Sequence, residues 1–214
     1  MLATAENTNI TNPAVANKSS KSILALPEKL ISLVHFGRSG TGLLHGLIDS
    51  HPQVYTMPSI YLSEFFDHST WEKIISDGWS QMTRRFTEIY DVLFDASSTV
   101  PILGKSKKLI YNIGQKEGLA NVGDLQNEVL SVDKALFCEE LKRLMDCFDE
   151  IDASIFFRLV HIAFNKAIGD LNPKRLIFYH IHNPDTYAQL NFVSAHPNAK
   201  WVIMVREPIQ SCEA

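Results

Sequence analysis

Leu30-Ile31-Ser32-Leu33-Val34-His35-Phe36-Gly37-Arg38-Ser39-Gly40-Thr41-Gly42-Leu43-Leu44 decides the fold. Its first half is a short apolar run with β-branched residues, cut off by Gly37, as expected of a buried strand that ends in a tight turn. From Gly42 the periodicity changes. Leu43, Leu44, Leu47 and Ile48 recur at helical spacing until Asp49-Ser50-His51-Pro52, where proline stops the helix. A strand, a glycine-rich turn and a helix in that order open a parallel α/β unit. The turn is where such a unit meets a ligand.

The small residues of the turn let the backbone curl so that several N–H groups point inward, beside the positive end of the following helix. Arg38 adds a permanent charge with a forked donor set suited to phosphate or sulfate oxygens. Ser39 and Thr41 add hydroxyl donors. The bland alternative is an ordinary strand-to-helix turn that happens to be rich in glycine. An arginine and two hydroxyl residues inside the same loop favour an anion site. The loop is not a Walker motif, because no Lys-Ser or Lys-Thr pair follows the glycines. Nor does the later candidate strand, Trp201-Val202-Ile203-Met204-Val205, end in an aspartate suited to magnesium; Arg206 follows it. An NTPase needs a metal to bridge its phosphates, so the pattern favours a donor whose transferred group carries less charge, such as a sulfuryl group.

Working outward, the last third repeats the strand–helix rhythm. Leu176-Ile177-Phe178-Tyr179 is a strand candidate, Asp185 to Ala195 a helix, and Trp201 to Val205 a second strand, which argues for a parallel sheet with right-handed crossovers. Residues from about 58 to 170 look mostly helical, with amphipathic spacing over Glu139 to Asp149 and Ile155 to Ile168. In this region Phe65, Phe66, Trp71, Trp79 and Phe86 suit either helix-packing core, the favoured reading, or an apolar acceptor cleft. Ile60 to Phe66 is helix or loop, and Gly104-Lys105-Ser106-Lys107-Lys108 a solvated basic turn. Residues 1–28, rich in Ala, Asn, Thr and Ser, read as a flexible leader. Residues 29–214 read as one α/β domain.

Composition sets the outer limits. The chain has 214 residues, 45% of them hydrophobic and 21% charged, enough for one α/β domain. A net charge of −4 offers no basic field for nucleic acid, so an anionic ligand must be held by a few local groups. The apolar runs are strand-length, which gives no membrane span. Cys138, Cys147 and Cys212 lack metal-site or disulfide spacing, and the N-terminus lacks a secretory signal, so the expected location is the cytoplasm.

Two motifs together carry a resemblance. Gly37-Arg38-Ser39-Gly40-Thr41-Gly42-Leu43-Leu44, followed by Asp49-Ser50-His51-Pro52, resembles the 5′-phosphosulfate loop of the sulfotransferases that use 3′-phosphoadenosine 5′-phosphosulfate (PAPS). Val202-Ile203-Met204-Val205-Arg206-Glu207-Pro208 resembles that family's 3′-phosphate strand. The resemblance implies a three-layer, P-loop-like domain with a central parallel sheet and helices on both faces. It implies PAPS as co-substrate, no metal requirement, and a small-molecule or glycan acceptor bearing a hydroxyl or amine. Gly37, Arg38, Ser39, Gly40, Thr41, Gly42 and Leu43 would surround the 5′-phosphosulfate, and Arg206 would grip the 3′-phosphate. The family's second 3′-phosphate donor, a serine eight positions after that arginine, falls on Ala214, and Ser211 is the nearer substitute.

In the cytosolic branch, Lys-Thr-His-Leu-Pro supplies the base. Here His180-Ile181-His182-Asn183-Pro184 puts His182 on that histidine, and Glu64 is the fallback. His35, His45, His51, His161 and His196 read as core or loop histidines. The family continues beyond the second motif, so the expectation is a domain incomplete at its C-terminus. The rival readings are a nucleotide kinase or NTPase with a degenerate loop, and a non-catalytic relic that binds nucleotide or partners only.

Overall fold

The computed structural model describes residues 8–13, 24–35, 39–49, 51–58, 62, 64–96, 119, 122, 125, 127–182, 186–205 and 207, with the backbone alone at His35, His182 and Thr186. In chain order the elements are β1 (Ile10–Thr11), β2 (Lys29–His35), α1 (Thr41–Ile48), β3 (Val54–Tyr55), α2 (His68–Ile75), α3 (Met82–Ile89), α4 (Lys134–Met145), β4 (Glu150–Ile151), α5 (Ala153–Ala167), β5 (Leu176–His182), α6 (Thr186–Ala195) and β6 (Lys200–Ile203). Single 3₁₀ turns at Trp79–Gln81 and Asp91–Leu93 flank α3.

Four strands form one parallel sheet in the order β3-β5-β2-β6. The glycine-rich turn therefore leaves a central strand. β2 pairs with β5 over its whole length, from Lys29 opposite Leu176 to His35 opposite His182, and with β6 from Ile31 opposite Lys200 to Val34 opposite Ile203. Both neighbours are parallel, so the C-terminal ends of β2, β5 and β6 share one edge of the sheet.

Alternation along the strands sorts their side chains onto two faces. Leu33, Val54 and Phe178 on one face pack with Leu44 and Ile48 of α1 and with Val202 and Met204. Leu30, Tyr55, Ile177, Tyr179 and Ile181 on the other join a much larger core built with α2 to α6. The result is an α/β structure whose parallel sheet is flanked by helices, in line with the expected layering. Phe65, Phe66, Trp71, Trp79 and Phe86 all lie buried in the large core, Phe65 ringed by Phe66, Phe86, Phe156 and Phe157. They are helix-packing core. Tyr187 and Leu190 of α6, with Ile203 and Val205 around the end of β6, are exposed.

Where the leader is described, it makes contacts with the domain. β1 pairs antiparallel with β4, Asn12 N–H donates to Asp149 C=O at 2.8 Å, and Trp71 Nε1–H donates to Thr8 C=O at 2.9 Å. Leu24 and Leu26 pack on the large core, and Arg158 Nε–H donates to Pro27 C=O at 3.1 Å. A polar composition without periodicity hides a strand of two residues, because pairing is set by backbone groups that every residue carries. Gly104 to Lys108 lies outside the described residues. No described helix is long and apolar enough to cross a membrane.

Candidate functional site

The candidate site is described at Ser39 and Gly40, which lead into α1, and at Met204, which follows β6. Gly40 caps α1 in the left-handed region, at φ 86° and ψ 9°. Only glycine takes that conformation without cost, so a side chain at this position strains the backbone. A Cβ built there would lie 3.6 Å from Met204 Cε. The Met204 side chain, two residues before Arg206, thus lies near the glycine that opens α1.

Gly40 C=O accepts from Leu44 N–H at 3.2 Å, the bond that opens the helical ladder. The amides of Thr41, Gly42 and Leu43 lie ahead of it, at the positive end of the helix. Thr41 is 1% exposed and Ser39 8%, so both hydroxyl residues turn inward. Ser39 Oγ has no hydrogen-bond partner among the described residues. A buried hydroxyl without a partner is uncommon in folded proteins and costs about 1–3 kcal/mol. Leu43, by contrast, points outward and is 72% exposed, so only its N–H belongs to the amide cluster.

On the sheet side of α1, His45 stacks on Phe178 at 6.0 Å between ring centroids and 17° between planes. Its ring lies 5.7 Å from that of His180. Burial holds the His45 imidazole below its ordinary pKa, with Asp49 acting the other way. Asp49 in turn accepts from Thr56 Oγ1. Sequence reading takes His45 for a core or loop histidine. Its contact with His180 is visible only in the register of β5 under α1.

The remaining candidates divide. His182 ends β5 as the register partner of His35, so the backbone at His180 to His182 continues the strand instead of following it. Glu64 sits in the turn on the opposite side of the sheet, where it adds to the effect of burial in raising the pKa of the Tyr90 and Tyr179 phenols. It is therefore not beneath α1. Gly37, Arg38, Arg206 and Ser211 lie outside the described residues. Among the described residues no cluster of His, Cys, Asp or Glu has the makings of a metal site. Comparison of the chain with family models, with characterised proteins and with solved structures gives no match.

Proposed function

We propose that the chain binds PAPS at the turn after β2 and transfers its sulfuryl group to a hydroxyl or amine acceptor. The observation that carries this reading is the nearness of the Met204 side chain to Gly40, where an added Cβ would reach packing distance of Met204 Cε. It brings Gly40 of the glycine-rich stretch near the segment leading into Arg206, which supports the reading that the two motifs serve one ligand. Ligands of open parallel sheets bind at the carboxyl ends of the strands. The buried Ser39 hydroxyl and the first-turn amides of α1 offer donors to the same small region.

In this reading Arg38, Ser39, Thr41 and the amides around Gly37, Gly40, Gly42 and Leu43 hold the 5′-phosphosulfate. Arg206, aided by Ser211, holds the 3′-phosphate. The acceptor oxygen or nitrogen attacks sulfur in line with the bond from sulfur to the bridging oxygen of the 5′-phosphate. That bond breaks, its electron pair departs on 3′-phosphoadenosine 5′-phosphate, and the acceptor proton passes to His182. Arg38 and the loop amides stabilise the charge that builds on the leaving phosphate.

The test is incubation of the folded chain with PAPS, without divalent metal, against a panel of phenol, sugar and amine acceptors. The reading predicts sulfated product and stoichiometric 3′-phosphoadenosine 5′-phosphate, with at least a hundredfold loss in His182→Ala, in keeping with the usual worth of general base catalysis. PAPS left intact across the panel, or turnover that requires magnesium, contradicts it.

A further inference from the structure

Three segments far apart in the sequence meet in one run of polar contacts. Arg158 of α5 spreads its guanidinium over two of them. Its Nε–H donates to Pro27 C=O at 3.1 Å, and its Nη1–H donates to Ser154 C=O at 3.1 Å and to Ser154 Oγ. Ser154 Oγ in turn lies 3.4 Å from Nε2 of His196, in the connection between α6 and β6. Because this oxygen already accepts from Arg158, its own O–H is the group left to donate to the ring nitrogen. His196 is 5% exposed, and its Nδ1 has no hydrogen-bond partner among the described residues. The ring packs against Phe66 from the turn before α2, Phe157 of α5 and Phe192 of α6. His196 N–H donates to Phe192 C=O at 2.9 Å, and its C=O accepts from Ala199 N–H at 3.0 Å, so its backbone is fixed on both sides. Among the described residues Arg158 is the charged group that bears on the ring, and Asp152 acts on Arg158 in turn.

We propose that Arg158, Ser154 and His196 form an acid-released latch on Leu24 to Pro27, the segment that leads into β2. The latch is independent of the anion-site reading. With a neutral ring the three side chains make one continuous run of donors and acceptors. A proton on His196 turns Nε2 from acceptor to donor, so two cations then face one hydroxyl oxygen where water screens poorly. The ring is held by three aromatic neighbours. Arg158 is half-buried, and its long stem lets the guanidinium swing into water. Its departure takes the donor from Pro27 C=O, and Leu24 and Leu26, partly buried against the large core, lose their polar anchor. Burial first, and the Arg158 charge with it, hold the latched His196 down to a pKa of about 4. A ring freed of both has its ordinary value of about 6.5. The latched form is therefore favoured in full above pH 6.5 and loses ground as pH falls toward 4, by up to about tenfold per unit for one proton.

Methyl NMR of the full chain from pH 7.5 to 4.5 tests the latch, with Leu141 and Leu144, buried in the same large core, as internal controls. The expected result is that the Leu24 and Leu26 signals move toward unfolded-chain positions as pH falls below 6.5, while the two controls hold theirs. In Arg158→Met, which keeps an apolar stem and removes the donors, the Leu24 and Leu26 signals should lie near the released positions already at pH 7.5. In His196→Gln, which cannot take the proton, they should stay in place across the range. Leu24 and Leu26 signals that ignore pH in the wild type, or that are untouched by Arg158→Met, overturn the latch. So does a pH response that persists in His196→Gln, or one shared in equal measure by Leu141 and Leu144.

Discussion

At Ser39 and Gly40 the account is most exposed to single substitutions. Ser39→Ala removes a buried hydroxyl that has no partner among the described residues, so it should leave stability unchanged or raise it slightly while weakening anion binding. The expected loss is about tenfold in affinity, the worth of one charge-assisted hydrogen bond. Titration with 3′-phosphoadenosine 5′-phosphate and a urea melt on the same variant separate the two effects. A variant that loses stability but binds normally would make Ser39 a packing residue. Gly40→Ala behaves differently. At φ 86° the added Cβ strains the backbone by about 1–2 kcal/mol, and it is set 3.6 Å from Met204 Cε. This variant should lose both stability and binding, and a melt unchanged from the wild type would contradict the cap geometry.

Among elements, the docked leader and the capped helix α5 bear on the large core rather than on the site. Asp152 accepts from Ile155 N–H at 2.7 Å and caps α5. Asp152→Ala should cost about 1 kcal/mol in a denaturant melt with anion binding intact. Removing residues 1–13 strips β1 from β4 and the Thr8 carbonyl from Trp71. The midpoint should fall and tryptophan emission should shift to the red as Trp71, 4% exposed in the intact fold, meets water. Unchanged emission would contradict the docking of β1. The elements also show what was legible beforehand. The strands β2, β5 and β6 and the helices α1, α5 and α6 announce themselves by apolar runs and spacing. The apolar run of β5 ends at Tyr179 and His180 and His182 look like loop residues, yet pairing with β2 carries the strand through both. The spacing that starts α4 at Glu139 is five residues late, since its Asp133 cap accepts from Ala135 and Leu136 ahead of the first strong apolar repeat. β1, β3 and β4 have two residues each, too short for any period to register.

For the whole molecule, acid should loosen the helical core. His161 and His196 are buried and held down to a pKa of about 4, by burial first and by the nearby Arg158 charge as well. His161 Nδ1 lies 2.8 Å from Phe157 C=O, which fits a donated bond from the neutral ring. The unfolded chain takes up these protons below pH 6.5 while the folded chain refuses them. Stability therefore holds above pH 6.5 and falls as pH drops toward 4, by about 2 kcal/mol for each histidine at pH 5. Melts from pH 7.5 to 5 check the slope, which His161→Gln should reduce. The opposite slope would contradict the burial of neutral rings. The site itself was only partly legible. The glycine loop could be read because the chemistry of an anion cradle demands small residues in sequence. The meeting of Gly40 with Met204 and of His45 with His180 depends on strand order, which no local pattern encodes.

The central claim is a metal-independent anion site that joins the two motifs. Calorimetric titration with 3′-phosphoadenosine 5′-phosphate, in chelator and again in magnesium, on the wild type and on Arg38→Ala tests it most directly. The account predicts saturable one-to-one binding, the same in both buffers, that falls at least tenfold in the variant. No binding by a chain shown to be folded, or binding that appears only with magnesium, would contradict it.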